Sequence, residues 1–132
     1  MDFASTRIIT DNVKRLVQFY EAIGLTAVWY TDDFAELPAG SATLAIGSTR
    51  TMDLFGAGAA VAQANRSVIV EFRVRNVDEA YRKLEGVIDS VVQEPTTQPW
   101  GNRSLLIRDP DGNLVNLFTP VTAEAIERYS RS

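Results

Sequence analysis

Apolar positions along this chain alternate between two periods, and the switches between them outline its elements. Thr6-Arg7-Ile8-Ile9-Thr10 reads as a first strand. Asp11-Asn12 then offers a helix N-cap, and Val13, Leu16, Val17, Tyr20 and Ile23 form one helical stripe that Gly24 stops. Residues 27–31 are β-rich. Residues 34–37 and 42–46 predict a hairpin around a Pro38-Ala39-Gly40-Ser41 turn. Residues 51–55 predict an edge strand, and the small-residue run 56–65 predicts a linker.

The second half repeats this order. Residues 67–74 predict a strand, followed by Asn76 as helix cap with Glu79 three positions on, the spacing of a capping box. Val77, Ala80, Tyr81 and Leu84 carry the stripe, and Gly86 ends it. Residues 91–94 predict a strand and residues 95–101 a loop holding Trp100. Two apolar strands, 104–107 and 114–118, then flank Asp109-Pro110-Asp111-Gly112-Asn113, a turn sequence with Pro and Gly where a reversal needs them. If Arg108 and Asn113 bound that turn, Asn116 stands opposite Leu105 and Phe118 opposite Arg103. Thr122 caps a terminal helix, with Val121 and Ile126 placed for a hydrophobic staple. The two passes align with Asn12 on Asn76 and Arg7 on Glu71. Their hairpins align with Pro38-Ala39-Gly40 on Pro110-Asp111-Gly112 and Leu44 on Asn116, so the chain reads as an internal duplication.

Composition narrows the chemistry. A chain of 132 residues supports one domain or two small halves. It contains neither cysteine nor histidine, which removes disulfides, thiolate and imidazole catalysis, and Cys- or His-bound metals. Net charge is −4 with no Lys/Arg cluster, so nucleic acid is not an expected partner. No apolar run approaches the roughly 20 residues of a membrane span, and residues 1–7 lack the look of a signal peptide, so a cytoplasmic location is expected.

The two βαβββ passes, the Asn-capped helix carrying Phe19-Tyr20 and ending at Gly24-Leu25, Trp100-Gly101 before a strand, and Asp109-Pro110-Asp111-Gly112-Asn113 together resemble the vicinal oxygen chelate superfamily. That group includes glyoxalases, extradiol dioxygenases, and fosfomycin and bleomycin resistance proteins. The resemblance implies an α+β fold of two tandem modules, each a curled sheet, around a shared cleft and often completed in a homodimer. Module boundaries are expected at 1–55 and 66–120, with the linker at 56–65 and a C-terminal helix at 121–132. Metal-dependent relatives carry ligands at positions that fall here on Ser5, Leu44, Ile69 and Asn116. Leucine and isoleucine cannot coordinate, and an amide with a hydroxyl competes poorly with water for a divalent ion. No metal and no other cofactor is therefore expected.

Strand alternation puts Ser5 and Arg7 on one face of the first strand, and Ile69, Glu71 and Arg73 on one face of its counterpart. Arg103, Leu114, Asn116 and Phe118 are expected to join them. Trp29 and Tyr30 are neighbours pointing to opposite faces; Trp29 and Trp100 are taken as the stacking pair. The expected function is binding of a small organic molecule, planar or cationic, by Ser5, Arg7, Trp29, Leu44, Ile69, Glu71, Trp100, Arg103, Asn116 and Phe118, in the manner of bleomycin resistance proteins. The alternative is a metal-independent enzyme with Glu71 as general base and Arg7 or Arg103 stabilising an oxyanion.

Overall fold

The computed structural model describes residues 1–130, so the last two positions of the expected 121–132 helix lie outside the described residues. The chain divides into two compact units. One comprises Met1–Asn65 with Pro110–Gly112, and the other takes the remainder from Arg66. Each unit holds a four-stranded sheet. No helix among the described residues is long and apolar enough to cross a membrane.

In the first unit, β1 (Thr6–Thr10) lies parallel to β4 (Ala42–Ser48). β4 pairs antiparallel with β3 (Phe34–Ala39), and β3 with β2 (Val28–Thr31). Between β1 and β2 runs α1 (Val13–Ala22), started by Asn12, whose side chain accepts a hydrogen bond from the Arg15 amide at 3.0 Å. Its stripe residues Leu16, Val17 and Tyr20 are fully buried against β3 and β4. The sheet face beneath them presents Ala35, Leu37, Leu44 and Ile46, paired in register as Ala35 with Ile46 and Leu37 with Leu44. Each large side chain buried this way contributes roughly 1.5–3 kcal/mol.

Two expectations change here. Pro38 and Ala39 belong to β3, leaving Gly40-Ser41 as a two-residue turn with Gly40 at φ +61°. Pro38 is tolerated because β2 reaches only residues 34–36 of β3. Residues 51–55 are not an edge strand. A 3₁₀ turn (Thr49–Thr51) leads into α2 (Met52–Phe55), closed by Thr51 Oγ1 donating to Ser48 O and by Gly56 N donating to Met52 O, each at 2.7 Å. β4 already has a strand on each side, so a further strand has no edge of it to join. A short apolar run carries no period that could have revealed this.

In the second unit, β5 (Ile69–Arg73) runs parallel to β8 (Leu114–Pro120). β8 pairs with β7 (Asn102–Arg108), and β7 with the outer strand β6 (Val91–Thr97). β6 continues through Pro95, where the sequence suggests a loop. A break in register between Gln93 and Thr96 accommodates the proline at this edge. α3 (Val77–Lys83) starts at Asn76, which accepts from the Glu79 amide at 3.1 Å; the Glu79 carboxylate pairs with Lys83 Nζ at 2.8 Å instead of closing the capping box. α4 (Ala123–Ser130) starts at Thr122, whose Oγ1 accepts from the Ala125 amide.

The β7–β8 turn is one residue narrower than the sequence suggests. Asp109 and Asn113 close it. Asp109 N donates to Asn113 O, while the backbone and side-chain N–H groups of Asn113 donate to the two Asp109 carboxylate oxygens at 2.9 and 2.8 Å. Pro110-Asp111-Gly112 forms the tip, with Gly112 at φ +84°. The register therefore moves by one, so that Asn116 faces Leu106, Phe118 faces Ser104 and Arg103 faces Thr119. A one-residue slip exchanges faces. Arg103 consequently lies on the α3 side, where its guanidinium grips the Asp78 carboxylate through Nε at 2.9 Å and Nη2 at 3.0 Å. Thr119, on the same face, accepts from the Val77 amide at 2.9 Å.

Two stability predictions follow from these contacts. The hydrogen bond from Arg103, helped by its charge and opposed by partial burial, holds the Asp78 carboxyl below the usual carboxylate range. A depressed folded-state pKa stabilises above the unfolded value, near 3.9, and that contribution disappears as pH falls through the depressed value. Urea midpoints measured downward from about pH 5 should fall more steeply for wild type than for Arg103→Gln; equal slopes would remove the pair from the acid response. Gly101 sits at φ +94°, and a Cβ there would collide with Thr122 Oγ1 and lie 2.9 Å from Ala125 Cβ at the start of α4. Gly101→Ala should cost about 1–3 kcal/mol in urea denaturation.

Candidate functional site

Each sheet has one face covered by its helix and one turned away, and the register assigns every candidate side chain to one or the other. In the first unit, Arg7 pairs with Ala45, which pairs with Glu36; Gly47 pairs with Phe34. These residues share the face opposite α1. The Arg7 guanidinium carbon lies 4.8 Å from the ring centroids of both Phe34 and Phe55. Tyr30 joins this face, its ring 5.9 Å from that of Phe34, and its hydroxyl bonds to the Glu36 carboxylate, which raises the phenol pKa.

Two expected residues fall on the other side of this sheet. Trp29 pairs with Ala35, and Leu44 with Thr6 and Leu37, so both belong to the α1 face; Leu44 is buried in its core. Tyr30 therefore stands where Trp29 was expected. The irregular pairing between Trp29 and Thr31 is invisible in a run whose residues are all apolar or β-prone. Leu44 was misplaced because the two turns differ in length. Superposing the two-residue Gly40-Ser41 turn on the three-residue tip of the second hairpin shifts the following strand by one. The residue opposite Arg7 is Ala45, just as the residue opposite Glu71 is Asn116. Ser5 precedes β1 and is half-buried.

In the second unit, Glu71 and Asn116 are register partners, and Asn116 Nδ2 donates to Glu71 Oε2 at 2.8 Å. With its N–H turned to the carboxylate, the amide leaves Oδ1 buried without a hydrogen-bond partner. Ser104 Oγ, on the same face by its pairing with Phe118, is also buried and unpartnered. No sequence feature marked Ser104, because its face depends on a register the turn alone decides. Phe118 lies on this face but is buried against the Tyr129 ring of α4, centroids 5.2 Å apart. Ile69 opens β5 and is 47% exposed, and Trp100 is 60% exposed in the turn between β6 and β7. Arg103 is withdrawn to the α3 face, bonded to Asp78.

The positions that resemble a metal site do not fit one. Ala45, which replaces Leu44 in the correct register, and Ile69 offer no donor atom. Asn116 has turned its N–H to Glu71, and Ser5 adds one neutral hydroxyl. Such a set is too poor in charge and donors for a divalent cation. Among the described residues no three His, Cys, Asp or Glu side chains converge.

Comparison with known proteins agrees with this architecture. No curated protein matches the sequence. A glyoxalase/bleomycin resistance protein/dioxygenase from Nocardioides superposes with a TM-score of 0.76 at 20% identity, over 93% of this chain and 85% of that one. A family enzyme of the same description from Burkholderia phytofirmans PsJN gives 0.80 at 14% identity, over 92% and 100%. A bleomycin resistance determinant encoded on the transposon Tn5 gives 0.65 at 21% identity, over 90% and 98%. The profile of one family matches residues 2–117, nearly the whole of both sheets, and the chain belongs to that family, the Glyoxalase/Bleomycin resistance protein/Dioxygenase superfamily, the vicinal oxygen chelate group.

Proposed function

We propose that this protein binds a small organic molecule without a metal ion, through the face of the second sheet that carries Glu71 and Asn116. The observation that carries the reading is the Asn116 side chain. Its Oδ1 is buried with no partner, at one of the positions where the resemblance implies a metal ligand. An orphaned buried acceptor costs about 1–3 kcal/mol, and a ligand N–H or O–H recovers that cost. Ser104 Oγ on the same face can donate or accept, and Glu71, on the exposed side of the pair, supplies negative charge. The set favours a ligand with hydrogen-bond donors or a cationic group. Sequestration of the kind implied by bleomycin resistance needs nothing more than this binding. A homodimer in the cytoplasm is the setting in keeping with that reading.

The catalytic alternative has less support. Arg103 is engaged with Asp78 on the opposite face of its sheet and is not available to an oxyanion beside Glu71. Glu71 itself is exposed and accepts the Asn116 amide. These features suit a carboxylate that orients a ligand.

A thermal-shift screen of planar and cationic compounds tests the proposal. A binder should raise the unfolding midpoint, and the shift should persist after treatment with a chelator. Asn116→Ala or Glu71→Gln should weaken the same compound about tenfold. A panel that leaves every midpoint unchanged, or binding that needs added Mn²⁺, would sink it.

A further inference from the structure

The first unit carries a second polar feature that the Glu71 and Asn116 face does not explain. Arg7 is an exposed cation, and no carboxylate of the described residues pairs with it. Glu36, the acid in its own cross-strand row, is two strands away and is bonded to the Tyr30 hydroxyl. Instead the guanidinium is held by the rings of Phe34 and Phe55, each 4.8 Å from its central carbon. Each such contact is worth about 0.5–1 kcal/mol at an exposed site. Its stem runs over Gly47, where a Cβ would lie 3.7 Å from Arg7 Cδ and 3.0 Å from Thr51 Oγ1.

Two rings against a guanidinium restrain its plane and leave the N–H edge as its remaining hydrogen-bonding surface. That edge is a planar fork of donors, matched in geometry to a carboxylate. Beside it, Phe55 is 68% exposed and Tyr30 is 61% exposed, so an aromatic surface adjoins the unpaired charge. We propose that Arg7 anchors the carboxylate of a small aromatic acid whose ring stacks on Phe55 and Tyr30. The guanidinium edge binds the acid group through two hydrogen bonds, and the adjoining rings select a flat body over an aliphatic one. This site is separate from the Glu71 and Asn116 face and takes an anionic ligand instead of the donor-rich or cationic one proposed there. It uses none of the residues of the second sheet.

Benzoate and its neutral isostere benzamide are the probes, titrated calorimetrically into wild type, Arg7→Gln, Arg7→Lys and Phe55→Ala. Benzoate should bind wild type and lose about tenfold or more in Arg7→Gln. Arg7→Lys should fall between, because a point charge lacks the fork. Benzamide should bind wild type at least about tenfold more weakly than benzoate. Phe55→Ala removes a largely exposed ring and should weaken benzoate, with a melting midpoint lowered by no more than the loss of its one contact with Arg7 accounts for. Equal benzoate affinity in wild type and Arg7→Gln overturns the proposal, as does equal affinity for the two probes. If wild type ignores benzoate but binds other planar compounds in an Asn116-dependent way, the acid anchor fails while small-molecule binding stands. If wild type binds nothing, both fail.

Discussion

The hydrogen bonds between Asp109 and Asn113 determine which side chains of the second sheet share a face. Three bonds, two of them to the buried Asp109 carboxylate, close the β7–β8 turn around a three-residue tip. Each contributes on the order of 1 kcal/mol, somewhat more where the acceptor is charged. The core enforces the same register from the other side. Slipping β8 by one residue would turn Val115 and Leu117 out of the interior and break their alignment with Leu105 and Ile107, all at most 2% exposed. At roughly 1.5–3 kcal/mol per large side chain, that penalty exceeds any gain from a turn of different length. Turn chemistry and core burial therefore agree on one register, and the placement of Arg103, Ser104 and Asn116 follows from it.

The same register decides which side chains stand at matching positions of the two modules. Glu71 and Asn116 face each other across the parallel β5–β8 pair, and the amide satisfies part of the carboxylate's hydrogen-bonding capacity. In the first sheet the equivalent pair is Arg7 with Ala45. One module thus presents a carboxylate and an amide where the other presents a guanidinium and a methyl group. Matching positions of the two modules therefore carry different side chains. Neither face retains a set of anionic donors dense enough to displace water from a divalent ion.

Aromatic residues follow a similar division. Phe118 has become core, packed under Tyr129, while Tyr30, Phe34 and Phe55 gather around Arg7. Phe55 reaches that position only because residues 52–55 coil into a helical turn. In the edge strand expected from its composition, it would have been carried along a sheet margin. A small change of local backbone therefore decides whether the arginine has one ring against it or two.

Much of the fold was legible from residue pattern alone. The Asn12 and Asn76 caps, the two helical stripes, the repeat of strand, helix and hairpin, and the glycines at the turns are local features, determined within a few residues of each other. The family resemblance rested on these, and the absence of histidine and cysteine is read from the sequence directly. What only the tertiary structure decided was sidedness. A strand's two faces differ by one residue, and nothing local distinguishes a two-residue turn at Gly40-Ser41 from a four-residue one, or a turn closed by Arg108 from one closed by Asp109. That choice depends on which hydrophobic set can be buried against a helix far away in sequence. It sent Leu44, Trp29 and Arg103 to the helix-covered faces and left Tyr30, Ala45, Ser104 and Asn116 on the others.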